Sequence, residues 1–292
     1  MSGGIRQNDV EFDEWMLEID HRLSKEGVAV FRRPIRAIGE IARISQLPFS
    51  VASSRKSGGE PLSTRVRAWY RRQFGDRVKW TPSIGEMVVE IKDDLWVMRL
   101  PVIFGSPTID EELVQDCIPE LPRERWGIVS EEERREIFEL LVRGIKAFSI
   151  LSAISDHHLL RSALGSMEAA VHHLVSRQGE YGQSKWASLQ VAEKALKAAI
   201  DVSRDEDYPY GHELAVLADE AADIGINGDW GDLFSYIQCG SGYRYNEVSC
   251  SRTEALDAHH ASLSLLVELG RACDQFTPAL EIDVDEGGSG SG

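Results

Sequence analysis

The sequence contains few cysteines, no long apolar run and no internal repeat. The four cysteines (Cys117, Cys239, Cys250 and Cys273) form no CxxC pair, and a chain of 292 residues is long enough to form a core without disulfides. They therefore indicate reduced thiols in a cytoplasmic protein. No stretch approaches about 20 consecutive apolar residues, which excludes a membrane-spanning helix. No unit of about 20 to 50 residues recurs, which excludes a solenoid.

The amino terminus also lacks the features of a secretion signal. The residues MSGGIRQNDVEFDEW are acidic and contain no apolar segment. We therefore expect no secretion signal here.

Positive charge is scarce in one half of the chain. Residues 1–150 hold 23 Lys and Arg against 25 Asp and Glu, a balance of −2. Residues 151–292 hold 9 against 23, a balance of −14 in a chain of net charge −16. Because acidic surfaces repel nucleic-acid phosphates, broad RNA or DNA binding by the second half is not expected.

Several enzyme motifs are missing too. The GSGYR segment has no Lys-Ser/Thr after it, so it is not a phosphate-binding P-loop, and no Ser/His/Asp nucleophile pattern is present. The histidine pairs at 157–158 and 172–173 lie about 22 Å apart along one helix and cannot share an ion. The pair at 259–260 diverges by about 100° on a helix. We therefore expect neither a metal nor a cofactor.

The first 150 residues predict an α+β module. Apolar residues at helical spacing predict a helix over residues 10–25. The alternating pattern of GEMVVEIKDDLWVMRLPVIFG predicts a β-hairpin near residues 85–105, with its turn at Asp93-Asp94. Ser130 and Glu133 form a capping-box pattern that opens a long helix.

The second half predicts an all-α bundle over residues 151–280. Its helices are predicted near 158–177, 184–202, 211–225, 230–238 and 252–275, with glycine-rich or polar loops between them. Short connections favour antiparallel packing of neighbouring helices. Residues 281–292 read as an acidic tail followed by a flexible linker sequence, GGSGSG.

The helix over 184–202 is predicted to be the centre of that bundle. Trp186, Leu189 and Leu196 lie on one stripe, and the alanines beside it allow neighbouring helices to approach closely. Ser184 is the predicted N-cap. Glu193 and Lys197 form an i,i+4 pair, for which we expect a few tenths of a kcal/mol.

Residues 156–270 resemble the HEPN domain family. The resemblance is carried by three elements in order: the run Glu193-Lys194-Ala195-Leu196-Lys197, then His212-Glu213-Leu214, and then Arg244-Tyr245 before the last helix. It implies a four- to five-helix up-and-down bundle, often a homodimer formed through the bundle. It also implies a setting in prokaryotic antiviral defence or toxin–antitoxin systems. Residues 1–150 match no family pattern.

The resemblance leaves the activity open between a binding module and a ribonuclease. Enzymatic HEPN proteins are metal-independent RNases with an R-x4–6-H motif, to which Arg252 and His259 correspond as R-x6-H. The arginine would hold a phosphate and the histidine would act as acid or base. The alternative is a non-enzymatic interaction or regulatory protein that binds a partner protein or a nucleotide. In that case His259, in register with Leu256 and Leu263, is a partly buried structural histidine.

Two further segments are candidate contact surfaces. Arg244 and Tyr245 follow a glycine-rich loop and could contact a nucleotide or phosphate; alternatively, they anchor the loop to the bundle. The segment 55–79 is basic and interleaved with aromatic residues. Its nucleic-acid contacts would be Arg65, Arg67, Trp69, Arg71 and Arg72. The alternative for this segment is an amphipathic helix with a buried aromatic face and solvated arginines.

Overall fold

A computed structural model describes residues 9–28, 30, 33–45, 62–75, 83–101, 111–153, 157–203 and 211–276. These residues are mostly helical, with one small antiparallel sheet. The helices are α1 (Asp9–Lys25), α2 (Arg33–Ser45), α3 (Leu62–Phe74), α4 (Glu111–Asp116), α5 (Arg123–Gly127), α6 (Glu131–Ala153), α7 (His158–Leu174), α8 (Tyr181–Ser203), α9 (Leu214–Ala222), α10 (Gly231–Ile237) and α11 (Arg252–Ala272). None of the helices in these ranges is long and apolar enough to cross a bilayer.

The chain divides into two compact units, and the division does not fall at residue 150. The first unit is Met1–Pro82 with Val102–Pro107, and the second is Ser83–Pro101 with Thr108–Gly292. The predicted hairpin and the long helix α6 therefore belong with the carboxy-terminal helices. Alternation within a strand indicates that one face is buried, but it does not indicate which element covers that face.

The first unit contains α1, α2 and α3 around a small apolar core. The spacing of Phe12, Met16, Ile19 and Leu23 places all four on one face of α1, where each is buried. Helix α3 contributes the buried residues Val66, Trp69 and Tyr70 to the same core. The predicted helix over residues 10–25 is thus confirmed.

The predicted hairpin is confirmed, with strands β1 (Ser83–Ile91) and β2 (Asp94–Pro101). The predicted turn is one residue off, because Asp94 pairs with Ile91 as the first residue of β2 and the turn is Lys92-Asp93. Met87 pairs with Met98 in its antiparallel register. The turn residues Lys92 and Asp93 have positive φ angles of 51° and 61°, as a two-residue hairpin turn requires. The hairpin packs on α6 and α7.

Helix α8 lies at the centre of the second unit, as its sequence predicts. It packs against α7, α9 and α11, and its residues from Val191 to Ile200 are buried except Lys194. The predicted N-cap is wrong, because α8 begins at Tyr181. Ser184 therefore lies inside the helix, is fully buried, and donates its hydroxyl to the Ala170 carbonyl of α7 at 2.9 Å.

Two capping boxes position the helices that contact the hairpin. At the start of α6, the Glu133 carboxylate accepts hydrogen bonds from the Ser130 amide and hydroxyl at 2.9 and 2.7 Å, as predicted. At the start of α11, Ser251 and Glu254 form the same arrangement. These hydrogen bonds satisfy amides that would otherwise lack partners at each helix start.

We predict that Gly144→Ala destabilises the second unit. A Cβ atom at position 144 would lie 2.5 Å from the Met87 sulfur and 3.0 Å from a Leu100 methyl, so these buried side chains would have to repack between α6 and the hairpin. Overpacking of this kind typically lowers the free energy of unfolding by about 1–3 kcal/mol. Urea denaturation measures the change.

Gly165→Ala on α7 is the matched control for this exchange. A Cβ atom at that position has no neighbour within 4 Å among the described residues. Only the helix propensity then changes, and it should raise the free energy of unfolding by up to about 1 kcal/mol. Equal effects of the two exchanges would contradict the packing of the hairpin on α6.

Candidate functional site

The two residues of the R-x6-H pattern both bind the hairpin. Arg252, at the first position of α11, forms an ion pair with Glu90 at 2.6 Å and donates to the Asp93 carbonyl at 2.8 Å. His259 lies two turns later, is fully buried, and accepts a hydrogen bond from the Val88 amide at its Nε2 atom, at 3.2 Å. Arg252 and His259 thus both contact β1. Because His259 is fully buried, it cannot reach a phosphate group in solvent.

The neighbouring histidine completes the contact with the strand. His260 Nε2 donates to the Val88 carbonyl at 2.8 Å. Because the Val88 amide points to His259, the backbone groups of Val88 face away from β2, along the free edge of the hairpin. Histidine side chains therefore satisfy the backbone groups that a strand edge would otherwise leave without partners.

The environment of His259 also opposes a role in acid–base chemistry. Burial, and to a smaller extent the neighbouring His260, lowers the pKa of His259 to about 3. An imidazole with that pKa stays neutral near pH 7 and cannot donate a proton as a general acid. The geometry thus favours a structural role for His259.

Arg244 and Tyr245 lie on the surface, in the loop between α10 and α11. Tyr245 is 62% exposed, and the Arg244 guanidinium stacks over its ring at 5.5 Å. Arg244 forms no ion pair with a described residue. The pair is accessible to a ligand and lies in a loop.

The aromatic residues of the basic segment are not available for base stacking. Trp69 and Tyr70 are at most 1% exposed and form the core of the first unit. Arg72 pairs with Asp13 at 2.7 Å, and the Arg65 guanidinium lies 4.1 Å from the centre of the Phe12 ring.

Of the remaining arginines of the segment, the structure describes one side chain. Arg71 is exposed on α3. The side chain of Arg67, and residues 55–61 and 76–79, lie outside the described residues. The described part of the segment corresponds to the amphipathic-helix alternative.

A polar cluster inside the bundle joins two elements of the HEPN-like pattern. The Glu193 carboxylate, 6% exposed, binds Lys197 Nζ at 2.8 Å and His212 Nδ1 at 2.7 Å. Gln190 donates to the same carboxylate at 2.8 Å. The pair Glu193–Lys197 is thus a buried pair. The few tenths of a kcal/mol that we expected apply to exposed pairs, whereas this pair is buried.

Among the described residues, a candidate binding site is a cleft of about 270 Å³ between α6 and α11. From α6 it is lined by Glu139, Val142, Arg143 and Lys146. From α11 it is lined by Ser264, Val267, Glu268 and Arg271.

Two cations in this cleft have no ion-pair partner among the described residues. Arg271 pairs with Glu268 at 2.5 Å, whereas neither Arg143 nor Lys146 forms an ion pair with a described residue. Both are half-buried. Sequence reasoning missed this site because Arg143 and Lys146 both lie on α6, whereas the other side of the cleft is formed by α11, more than 100 positions further along the chain.

In comparisons with protein-family models, with curated proteins and with solved structures, nothing matches this chain.

Proposed function

We propose that this chain is a non-enzymatic, HEPN-like binding protein, and that its ligand carries a phosphate or diphosphate group held in the α6–α11 cleft. The observation that carries the proposal is the presence of Arg143 and Lys146 in a concave site without ion-pair partners among the described residues. Half-buried cations without counterions favour an anionic ligand. Arg binds phosphate bidentately, and Lys binds it as a point charge.

The size and composition of the cleft suit the phosphate end of a small molecule. Ligand pockets usually measure about 300–1,000 Å³, so a cleft of about 270 Å³ fits a diphosphate or a sugar phosphate. The exposed Glu139 at its edge can accept a hydrogen bond from a sugar hydroxyl. A nucleotide that inserted its phosphates would leave its base outside the cleft.

Two observations support a HEPN-like, non-enzymatic assignment. Glu193 and His212, which belong to separate elements of the family pattern, contact each other at 2.7 Å. His259, the acid or base of the ribonuclease alternative, is buried against Val88. Loss of activity in a His259 variant would therefore not identify a catalytic residue, since the variant also loses a fold contact. The homodimer, the partner protein and the defence setting stay predictions from the resemblance.

Equilibrium binding of pyrophosphate and of ADP by isothermal titration calorimetry tests the proposal. Arg143→Gln and Lys146→Gln should each raise the Kd about 10- to 100-fold, because hydrogen bonds to charged groups contribute about 1.5–3 kcal/mol. Affinity should also fall as NaCl increases.

Arg135→Gln is the matched control, because Arg135 is exposed on the same helix and lies outside the cleft. It should change the Kd less than twofold. A second comparison is Arg244→Gln with Tyr245→Ala. If that variant weakens binding while the cleft variants do not, the ligand binds at the loop and the proposal is wrong.

A further inference from the structure

The start of α7 and the end of α8 bring two histidines and an aspartate together. His157 Nε2 lies 2.9 Å from Asp201 Oδ2. One ligating atom from each of His157, His158 and Asp201 lies within 4.8 Å of the other two. The spacing of the histidines in the sequence does not predict this group, because its third residue, Asp201, lies more than 40 positions away on another helix.

Adjacent histidines converge here because the first one precedes the helix. His157 is the N-cap of α7 and has extended backbone angles, φ −71° and ψ 117°. Two successive residues within a helix would diverge by about 100°. Instead the His157 and His158 rings stack, with centroids 5.3 Å apart and planes inclined by 20°.

The group is fixed on one side and open on the other. The His157 side chain is 10% exposed, and its Nδ1 atom is buried without a hydrogen-bond partner. Asp201 is 34% exposed and His158 is exposed, so solvent and ions reach the group.

We propose that His157, His158 and Asp201 bind a divalent transition-metal cation, for which Zn²⁺ is the best fit. Two imidazole nitrogens and one carboxylate oxygen form a ligand set typical of zinc, whereas Mg²⁺ and Ca²⁺ prefer oxygen ligands. Tetrahedral zinc places its ligand atoms about 3.3 Å apart, so side-chain rotation alone brings three atoms within 4.8 Å into position.

The ion would replace the hydrogen bond between His157 and Asp201 and join the start of α7 to the end of α8. Three protein ligands leave a fourth position for water. The site is separate from the α6–α11 cleft and does not depend on the proposed function.

Titration of the chelator-treated full chain with Co²⁺, followed by visible absorption, tests the proposal, and Zn²⁺ competition measures the zinc affinity. The expected result is one bound ion per chain, displaced by Zn²⁺ and not by equimolar Mg²⁺. His158→Asn and Asp201→Asn should each raise the Kd at least tenfold. His172→Asn, on an exposed histidine of the same helix, is the matched control and should leave the Kd unchanged.

Three outcomes would contradict the proposed metal site. They are the absence of saturable one-to-one binding, unchanged affinity in the His158 and Asp201 variants, and competition by Mg²⁺ equal to that of Zn²⁺. Because His158 is exposed, its exchange should not unfold the chain, and circular dichroism verifies this for each variant.

Discussion

Replacing His259 by leucine is expected to lower the free energy of unfolding by about 2 kcal/mol at pH 7.5, and to make it less dependent on pH. The exchange removes the acceptor of the buried Val88 amide. A buried donor without a partner costs about 1–3 kcal/mol. Leucine keeps an apolar side chain of similar bulk in the core. It also removes the buried Nδ1 atom, which has no hydrogen-bond partner among the described residues, so the loss is the net of the two changes.

The pH dependence follows from the pKa of His259. The unfolded imidazole has a pKa of about 6.5, whereas burial lowers the folded value to about 3. Between these values the unfolded state binds a proton that the folded state does not. The stabilisation is therefore complete above pH 6.5 and decreases as the pH falls toward 3, by about 1.4 kcal/mol per pH unit.

His260 also titrates, and it could contribute to the pH dependence of the free energy of unfolding. Burial also lowers the pKa of His260, as does Arg143 from α6, while its hydrogen bond to the Val88 carbonyl and Asp257 on α11 act in the opposite direction. Because His260 is present in both proteins, its titration largely cancels in the comparison of wild type with His259→Leu.

Urea denaturation at pH 7.5 and pH 5 measures both effects. The difference of about 2 kcal/mol between wild type and His259→Leu should nearly disappear at pH 5, because the wild type loses about 2 kcal/mol through His259 over this range. His172→Leu makes the same exchange at an exposed site and should stay within about 0.5 kcal/mol of wild type at both pH values. A difference that does not change with pH would show that His259 is not buried in its neutral form.

Replacing Glu193 by glutamine is expected to lower the free energy of unfolding by about 3 kcal/mol. Glu193 and Lys197 are 6% and 10% exposed, and their charged atoms lie 2.8 Å apart. Removing one partner of a buried ion pair typically costs about 3–5 kcal/mol, because the other charge stays buried. His212 and Gln190 lose a charged acceptor in the same variant.

Urea denaturation of a double variant distinguishes two quantities. One is the net contribution of the ion pair to the free energy of unfolding, and the other is the cost of leaving a single buried charge without its partner. In Glu193→Met with Lys197→Met no charge remains at either position, and much of the lost stability should return. Glu86→Gln is the control, since the Glu86–Arg99 pair at 3.2 Å is about 46% and 32% exposed. It should change stability by at most about 1 kcal/mol. A Glu193 variant that behaves like the control would contradict the buried cluster.

Local patterns in the sequence predict the elements well. Alternation around Asp93 predicts the hairpin, and Ser130 with Glu133 predicts the start of α6, because each pattern depends on neighbouring residues only. Boundaries are less certain from sequence: Ser184 has the right chemistry for an N-cap, yet the helix starts one turn earlier. There the serine hydroxyl binds a carbonyl of the adjacent helix.

The contacts between distant segments could not be predicted from the sequence. His259 lies 171 positions from Val88, and nothing local distinguishes a histidine bound to a strand edge from one that serves as a catalytic base. Arg143 and Lys146 look like ordinary solvated residues on a charged helix until α11 closes one side of the cleft. His157 and Asp201 likewise meet only because α7 and α8 pack side by side.

A crystal structure of the chain with bound pyrophosphate tests the proposed function most directly. The account predicts pyrophosphate between α6 and α11, with its oxygen atoms within hydrogen-bonding distance of the Arg143 guanidinium and the Lys146 ammonium. Pyrophosphate bound at Arg244 and Tyr245 with the cleft empty, or no bound pyrophosphate at a saturating concentration, would contradict it.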